Sequence, residues 1–293
     1  MPIISIIIPF FNNRRITSCL QTLLRQSYKN REIIVVNNNS SSRYLELLKE
    51  YPILFFHEKL QGSYPARNKG IENARGQYVA FIDADCLAKD DWLEELYKAI
   101  KENDADMVLG HVDKIISPKK KNPELVDKNI YHDHKTLFSR GIGTTANLMV
   151  SRKVLREIRG FSYDYFSGED TEFIKKAVNT GFKYVYAPDA VVYHPCRKST
   201  FSLMAKGFRT GISDGNRKAA SIKTRKEKIE FLSKKCLALF DPLRKDITDK
   251  CRDFSLGYAA SYYLHFFAHG WGRLIGTTTF SRTEFFRKLT RYT

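Results

Sequence analysis

The feature that most constrains this chain is an alternation, running from its first residues to about Val112, of short β-branched segments with stretches of helical period. Ser5 to Ile8 and Glu32 to Val36 are continuous apolar runs, the pattern of strands buried on both faces of a parallel sheet. Between them Ile16, Leu20, Leu23 and Leu24 recur at i, i+4, i+7 and i+8 and so share one helix face. The alternation continues with a helical stretch at Tyr44 to Tyr51, a strand at Ile53 to His57, a helix opening at Ser63 with Pro65 in its first turn, and a strand at Tyr78 to Asp83. Trp92, Leu96, Ala99 and Ile100 mark another helix, and Met107 to Val112 another strand. Repeated βαβ units predict a doubly wound, mostly parallel α/β sheet with helices on both faces. Ligands of such sheets bind beyond the carboxyl ends of the strands, which singles out Pro9 to Asn13, Asn37 to Ser40 and Asp83 to Cys86.

Lys114 to Arg140 carries Ser117-Pro118, three consecutive lysines and Asn122-Pro123 with no sustained period, and is expected to be a surface loop. Order is expected to return at Asn147 to Ser151, then in helices at Lys153 to Ile158 and Asp170 to Thr180 and strands at Tyr184 to Ala187 and Val191 to Tyr193. Residues 1–218 are expected to form the α/β domain and 219–293 a basic, aromatic-rich helical extension. Phe254 to Gly272 contains no charged residue, but glycine, serine and histidine dilute it below a membrane span.

At 293 residues and 43% hydrophobic, the chain can bury one sizeable core with room for a smaller unit. Five cysteines form no CxxC pair and leave one over, which argues against a zinc ribbon or a disulfide framework and favours a reducing cytoplasm. Met1 to Phe10 is apolar but has no basic leader, and Pro9 interrupts it, so it reads as a first strand rather than a signal peptide. The net charge of +17 is uneven: Met1 to Cys196 holds 28 basic and 24 acidic residues, Arg197 to Thr293 holds 21 and 8. Such a patch serves solubility, or attracts nucleic acid, an anionic membrane or a phosphorylated substrate.

Asp83-Ala84-Asp85 follows a strand that delivers it to the sheet's carboxyl edge. Two carboxylates one residue apart can bring oxygen ligands to one hard cation, Mg²⁺ or Mn²⁺, that keeps positions free for phosphate oxygens. The same spacing also serves as a cap or a solvated acidic loop. Cys86 reads as a small buried hydrophobe. His132 and His134 flank Asp133, an HxH pair without a third ligand in sight.

With these pieces in place the sequence resembles the family 2 glycosyltransferases of GT-A fold, from about Ile3 to Arg209. The matching motifs are Ser5-Ile6-Ile7-Ile8-Pro9-Phe10-Phe11-Asn12, Glu32 to Ser40, Gly62-Ser63-Tyr64-Pro65-Ala66-Arg67-Asn68-Lys69-Gly70, Phe81-Ile82-Asp83-Ala84-Asp85, Gly168-Glu169-Asp170 and His194-Pro195. The resemblance implies an inverting enzyme that carries a sugar from a nucleotide-diphosphate donor, a UDP-sugar in the first instance, to a glycan or lipid-linked hydroxyl with the help of Mn²⁺ or Mg²⁺. It implies nucleotide-sugar contacts at Pro9, Phe10, Asn12, Asn37, Asn38, Arg67, Asp83 and Ala84, metal ligands at Asp83, Asp85 and His194, Asp170 as general base and Glu169 as an orienter of the acceptor. The second strand of this family usually ends in aspartates that contact the base. Here Asn37, Asn38 and Asn39 stand instead, able to pair with a base edge but without a carboxylate.

The residue types suit the chemistry. The acceptor hydroxyl attacks opposite the diphosphate, one carboxylate takes its proton, and a cation in place of a second acid stabilises the leaving group. Lys206 and Arg209 are candidates to close over the diphosphate. The basic, aromatic carboxy-terminal part suggests peripheral contact with the cytoplasmic face of a membrane, or packing on the catalytic domain or in a homodimer. Two other readings compete: a sugar-phosphate nucleotidyltransferase, disfavoured because Phe10 to Arg14 lacks a glycine-rich loop, and a nucleic-acid-binding protein, disfavoured because no such motif is present.

Overall fold

A computed structural model describes residues 1–130, 133–163, 167–222, 224, 226–227, 229–231 and 255–278. In chain order the elements are β1 (Ile4–Phe10), α1 (Ile16–Leu24), β2 (Arg31–Asn37), α2 (Ser42–Leu45, continued by a 3-10 turn at Glu46–Leu48), β3 (Leu54–His57), α3 (Ser63–Asn73), β4 (Tyr78–Phe81), β5 (Leu87–Ala88) and α4 (Trp92–Asn103). Then come β6 (Met107–Ile115), α5 (Asn122–Ile130), α6 (His134–Ser139), β7 (Leu148–Ser151), α7 (Arg152–Ile158), α8 (Glu169–Asn179), β8 (Tyr184–Pro195), α9 (Thr200–Ser221) and α10 (Leu256–Thr278).

The chain divides into two compact units. The first comprises Met1–Ile115, His132–Ser162 and Glu169–Pro195 and contains one mixed sheet in the order β3-β2-β1-β4-β7-β6-β8-β5. Strands β3, β2, β1 and β4 run parallel, and β6 runs parallel to β8. Strand β7 is antiparallel to both of its neighbours, and β5 is antiparallel to β8. The β-branched run of β1 is explained by burial on both sides. Ile4, Ile6 and Ile8 pack with Leu20 and Leu23 of α1 and Trp92 and Leu96 of α4, while Ile7 faces the layer of Tyr64, Val154 and Phe173 from α3, α7 and α8.

Two sequence expectations change here. Lys114 to Arg140 is not simply a loop, because it holds α5 and α6. Asn122-Pro123, taken as a breaker, is a helix start in which proline's missing N–H costs nothing. The two expected strands after Tyr184 are one, β8, whose pairing with β6 steps from Gly110–Ala187 to His111–Val191 and so bulges out Pro188, Asp189 and Ala190.

The second unit gathers the described residues of Ile116–Tyr131, Tyr163–Gly168 and Cys196–Thr293, with α5, α9 and α10. Helix α9 runs to Ser221. The buried Glu124 carboxylate accepts from Ser117 N (3.1 Å), Ser117 Oγ (2.6 Å) and Lys121 N (3.0 Å), which hold it below the usual carboxylate range against its burial. Buried Asp127 takes Arg197 Nη1 at 3.1 Å. Helices α9 and α10 approach backbone to backbone: a Cβ on Gly211 would meet His269 O, and one on Gly272 would meet Phe208 O. Among the described residues no helix is long and apolar enough to cross a membrane. Arg282 to Arg291 lies outside the described residues.

Candidate active site

Strand β4 ends at Phe81, and the chain turns at once. Cys86 N donates to Asp83 O at 3.0 Å, closing a β-turn over Asp83-Ala84-Asp85-Cys86. The turn sorts its side chains, with Ala84 and Cys86 buried and Asp83 and Asp85 half-exposed. The Cys19 thiol of α1 reaches Asp83 O at 3.7 Å from beneath.

Arg67 comes to this turn from α3. It is 4% exposed, and its Nη2 donates to Asp83 Oδ1 at 2.6 Å. Its buried Nε has no hydrogen-bond partner among the described residues. The ring of Tyr64, one helical turn earlier, lies 5.5 Å from the guanidinium carbon. The Tyr64 hydroxyl accepts from Glu169 N (3.2 Å) and donates to Asp170 Oδ1 (3.4 Å). Asp170 also accepts from Thr145 N at 3.3 Å and from its neighbour Thr171 N at 3.1 Å. Burial pushes the Asp170 carboxyl above its ordinary value. The Arg67 charge opposes that shift, and the Asp83 charge adds to it. Burial, then the Asp170 charge, likewise pushes the Tyr64 phenol up. Asp83, Arg67 and Asp170, far apart in the chain, thus share one electrostatic environment.

The third approach is from β8. His194 Nδ1 meets Pro195 O at 2.9 Å, so Nδ1 carries the hydrogen and Nε2 the lone pair. Burial, then Lys114, lowers the imidazole's proton affinity, with Asp85 and Asp83 pulling the other way. Oxygen, sulfur and nitrogen atoms of Asp83, Cys86 and His194 lie within 4.8 Å of one another, a group that does not include Asp85. Burial, then Asp83 and Asp85, holds the Cys86 thiol protonated.

The other residues expected at the site are engaged inside the chain. Asn37 Nδ2 meets His57 Nδ1 at 3.1 Å, and its Oδ1 accepts from Ser40 N at 2.9 Å. Asn38 gives its amide to Glu58 O and Leu60 O and accepts from Gly62 N. These asparagines therefore tie β2 to the segment between β3 and α3. Phe10 is wholly buried in the core, while Asn12, at φ 43°, accepts from Ser41 N at 2.9 Å. Pro9 is half-buried on β1. Glu169 is 5% exposed and accepts from Ser162 N at 2.9 Å, bracing the start of α8. His134 meets Gly110 O at 2.7 Å and Thr144 Oγ1 at 3.0 Å, so both ring nitrogens are occupied, and His132 lies outside the described residues. Lys206 and Arg209 belong to α9 in the second unit. Tyr64 and Thr145, which sequence reasoning did not single out, touch Asp170 directly. Only the spacing of Tyr64, three residues before Arg67, carried a hint.

The mixed sheet of this order, with helices on both faces, has glycosyltransferases of GT-A fold as structural neighbours. The mannosyltransferase PcManGT of Pyrobaculum calidifontis, solved in complex with GDP-Man and Mn²⁺, matches with a TM-score of 0.56 at 18% identity, covering 94% of this chain and 86% of that one. TarS of S. aureus matches with a TM-score of 0.54 at 17% identity, over 93% and 55% of the two chains. The profile described as Glycosyl transferase family 2 matches residues 5–159. Glycosyltransferase AglE of Haloferax volcanii is 31% identical over 221 residues, 72% of each chain. Glycosyltransferase GlyA of Streptococcus pneumoniae is 38% identical over 114 residues, 37% of this chain but 16% of GlyA. The chain belongs to glycosyltransferase family 2 and is a glycosyltransferase.

Proposed function

We propose that this enzyme moves a sugar, with inversion, from a nucleoside-diphosphate donor to a hydroxyl of a glycan or lipid-linked acceptor, with Asp170 as general base. One observation carries the reading: Arg67 pairs with Asp83 at 2.6 Å while its charge also bears on Asp170, so the carboxylates assigned to the donor and acceptor sides are electrostatically linked through one guanidinium. The acceptor hydroxyl gives its proton to Asp170 as its oxygen attacks the anomeric carbon, and the bond to the diphosphate breaks on the opposite face. Tyr64 Oη and Thr145 N hold the carboxylate in place for that transfer. Burial makes Asp170 a stronger base than an exposed aspartate. Glu169 serves the acceptor side through the corner it braces with Ser162.

The donor set suits a divalent cation: two half-exposed carboxylates on one turn, and an imidazole whose Nε2 lone pair is left free because Nδ1 is held by a carbonyl. Asp83, Asp85 and His194 would hold Mn²⁺ or Mg²⁺, which when bound neutralises charge on the departing diphosphate. The Mn²⁺ in the PcManGT complex supports this. Asn37 and Asn38, whose amides also hold contacts within the chain, stand with Pro9, Asn12 and Ala84 as the groups offered to the base. Uridine and guanosine diphosphates are the first two ligands to compare, the latter because PcManGT was captured with GDP-Man.

A reducing, cytoplasmic setting is supported by Cys19 and Cys86, which lie buried without a disulfide. The excess of 21 basic over 8 acidic residues after Cys196, with Leu256 87% and Phe201 80% exposed, supports contact with an anionic membrane surface, where a lipid-linked acceptor resides. A second copy of the chain is the other occupant of that face. Thermal shift with a panel of nucleoside diphosphates, with and without Mn²⁺, tests the core of the proposal. One diphosphate should raise the melting temperature, and only with the metal present. No shift with any member would sink it.

A further inference from the structure

We propose that Asp83, Cys86 and His194 form a cation site selective for thiophilic divalent ions, zinc above all, and that zinc held there opposes sugar transfer. Two backbone devices bring the three together. The β-turn from Asp83 to Cys86 folds those residues against each other. The antiparallel ladder then pairs Ala88 with Val192 and Leu87 with Tyr193, so the next register position sets Cys86 opposite His194. The ligand atoms lie within 4.8 Å of one another. Neighbouring ligands of tetrahedral zinc stand about 3.5 Å apart, so closure asks each side chain to move by about 1 Å.

The remaining valences agree. His194 Nδ1 is committed to Pro195 O, which leaves Nε2 for metal, and Asp83 Oδ1 is committed to Arg67, which leaves Oδ2. The half-exposed Asp83 and His194 provide a route in for the ion, while Cys86 closes the site from the buried side. Mg²⁺ and Mn²⁺ take oxygen ligands and gain little from a sulfur, whereas zinc binds cysteine as the thiolate, the S–H bond giving way to a Zn–S bond and the proton passing to solvent. Three protein ligands leave a fourth position for water. The opposition to transfer rests on the function proposed above, since zinc would withdraw Asp83 from the donor and from the hard cation. The site itself does not rest on it.

The full chain, stripped of metal and titrated with Co²⁺ as a zinc surrogate, is expected to show thiolate-to-cobalt charge-transfer absorption that Zn²⁺ abolishes, with about one proton released per ion. Cys86→Ser should lose the absorption, and both Cys86→Ser and His194→Gln should weaken Zn²⁺ binding by about tenfold or more. Cobalt bound to the wild-type chain without a sulfur band, or Cys86→Ser with wild-type zinc affinity, would overturn the site. Zinc binding that leaves Mn²⁺-supported transfer untouched would overturn the inhibition alone. A chain that binds zinc but transfers from no donor would fail the functional reading and leave the site standing.

Discussion

The Tyr64 hydroxyl bridges the start of α8, accepting the Glu169 amide at 3.2 Å and donating to Asp170 Oδ1 at 3.4 Å. A bond to the ionised carboxylate favours that form, so its removal raises the Asp170 pKa further. Tyr64→Phe is therefore expected to move the acid limb of the pH–rate profile to higher pH. It should also lower kcat about fivefold, a modest loss because the bond is long, with donor KM little changed. A profile that superimposes on wild type would remove Tyr64 from the positioning of the base.

Asp170→Asn keeps the shape of the side chain but cannot take a proton, and transfer is expected to fall by ~10² to 10⁴. The folded carboxyl holds its proton more tightly than an unfolded one, whose value is 3.8. Its cost to stability is therefore absent below that value and complete above the raised one. The variant should melt at or above the wild-type temperature at neutral pH, and the difference should shrink as the pH falls towards 4. Calorimetry across that range, beside a transfer assay, reads both effects.

Arg67→Lys supplies a charge without the planar fork that reaches Asp83 Oδ1, and Arg67→Met supplies neither. Arg67 is nearly buried and Asp83 is about a third exposed, so after solvent screening the loss in Arg67→Met is about 2 kcal/mol rather than the larger cost of a fully buried pair. Nucleoside-diphosphate binding should weaken in both variants. Titration calorimetry that finds wild-type affinity in Arg67→Met would exclude a contact between Arg67 and the nucleotide.

How much of this was legible in the chain depends on the range of the interaction. The strands β1, β2 and β4 were readable because burial on both faces writes an unbroken apolar run, and the placement of Asp83 just past a strand and of Asp170 at a helix start because such signals are local. Strand β5 is two residues long and has no period to detect. Helix α5 was hidden by its own start signal, since Asn122-Pro123 reads equally as a turn. The contacts of Tyr64 and Thr145 with Asp170 span 106 and 25 residues, and that of Asn38 with Leu60 spans 22. Only the folded sheet creates such neighbours, so no spacing rule could announce them. Cys86 was read correctly as buried, yet its meeting with His194 comes from a ladder that the sequence does not display.

His134 is a buried, neutral imidazole whose pKa is lowered to about 4, chiefly by burial, from an ordinary 6.5. The unfolded chain binds the proton first, so the stability this residue contributes is present above about 6.5 and is lost as the pH falls towards 4. At pH 5 the loss is about 2 kcal/mol. His134→Gln, which can still donate to Gly110 O and accept from Thr144, should flatten the denaturation midpoint between pH 7 and 5. Equal slopes for the two proteins would show that His134 titrates normally in the fold.

In the second unit, Gly272 of α10 lies against the backbone of Phe208 in α9, where a Cβ would meet the carbonyl oxygen. The two helices can sit this close only because both surfaces are small there, as the matching position of Gly211 against His269 O shows. Gly272→Leu must force the helices apart and should destabilise the pair by about 3 kcal/mol, even though leucine is the better helix former. Ala260→Leu, on an exposed position of the same helix, adds the same side chain at little change in helix propensity and without the clash, and should stay within about 0.5 kcal/mol of wild type. Hydrogen exchange over residues 256–278 separates the two outcomes. Protection that survives in Gly272→Leu would mean that α10 is held by its other contacts rather than by this close approach.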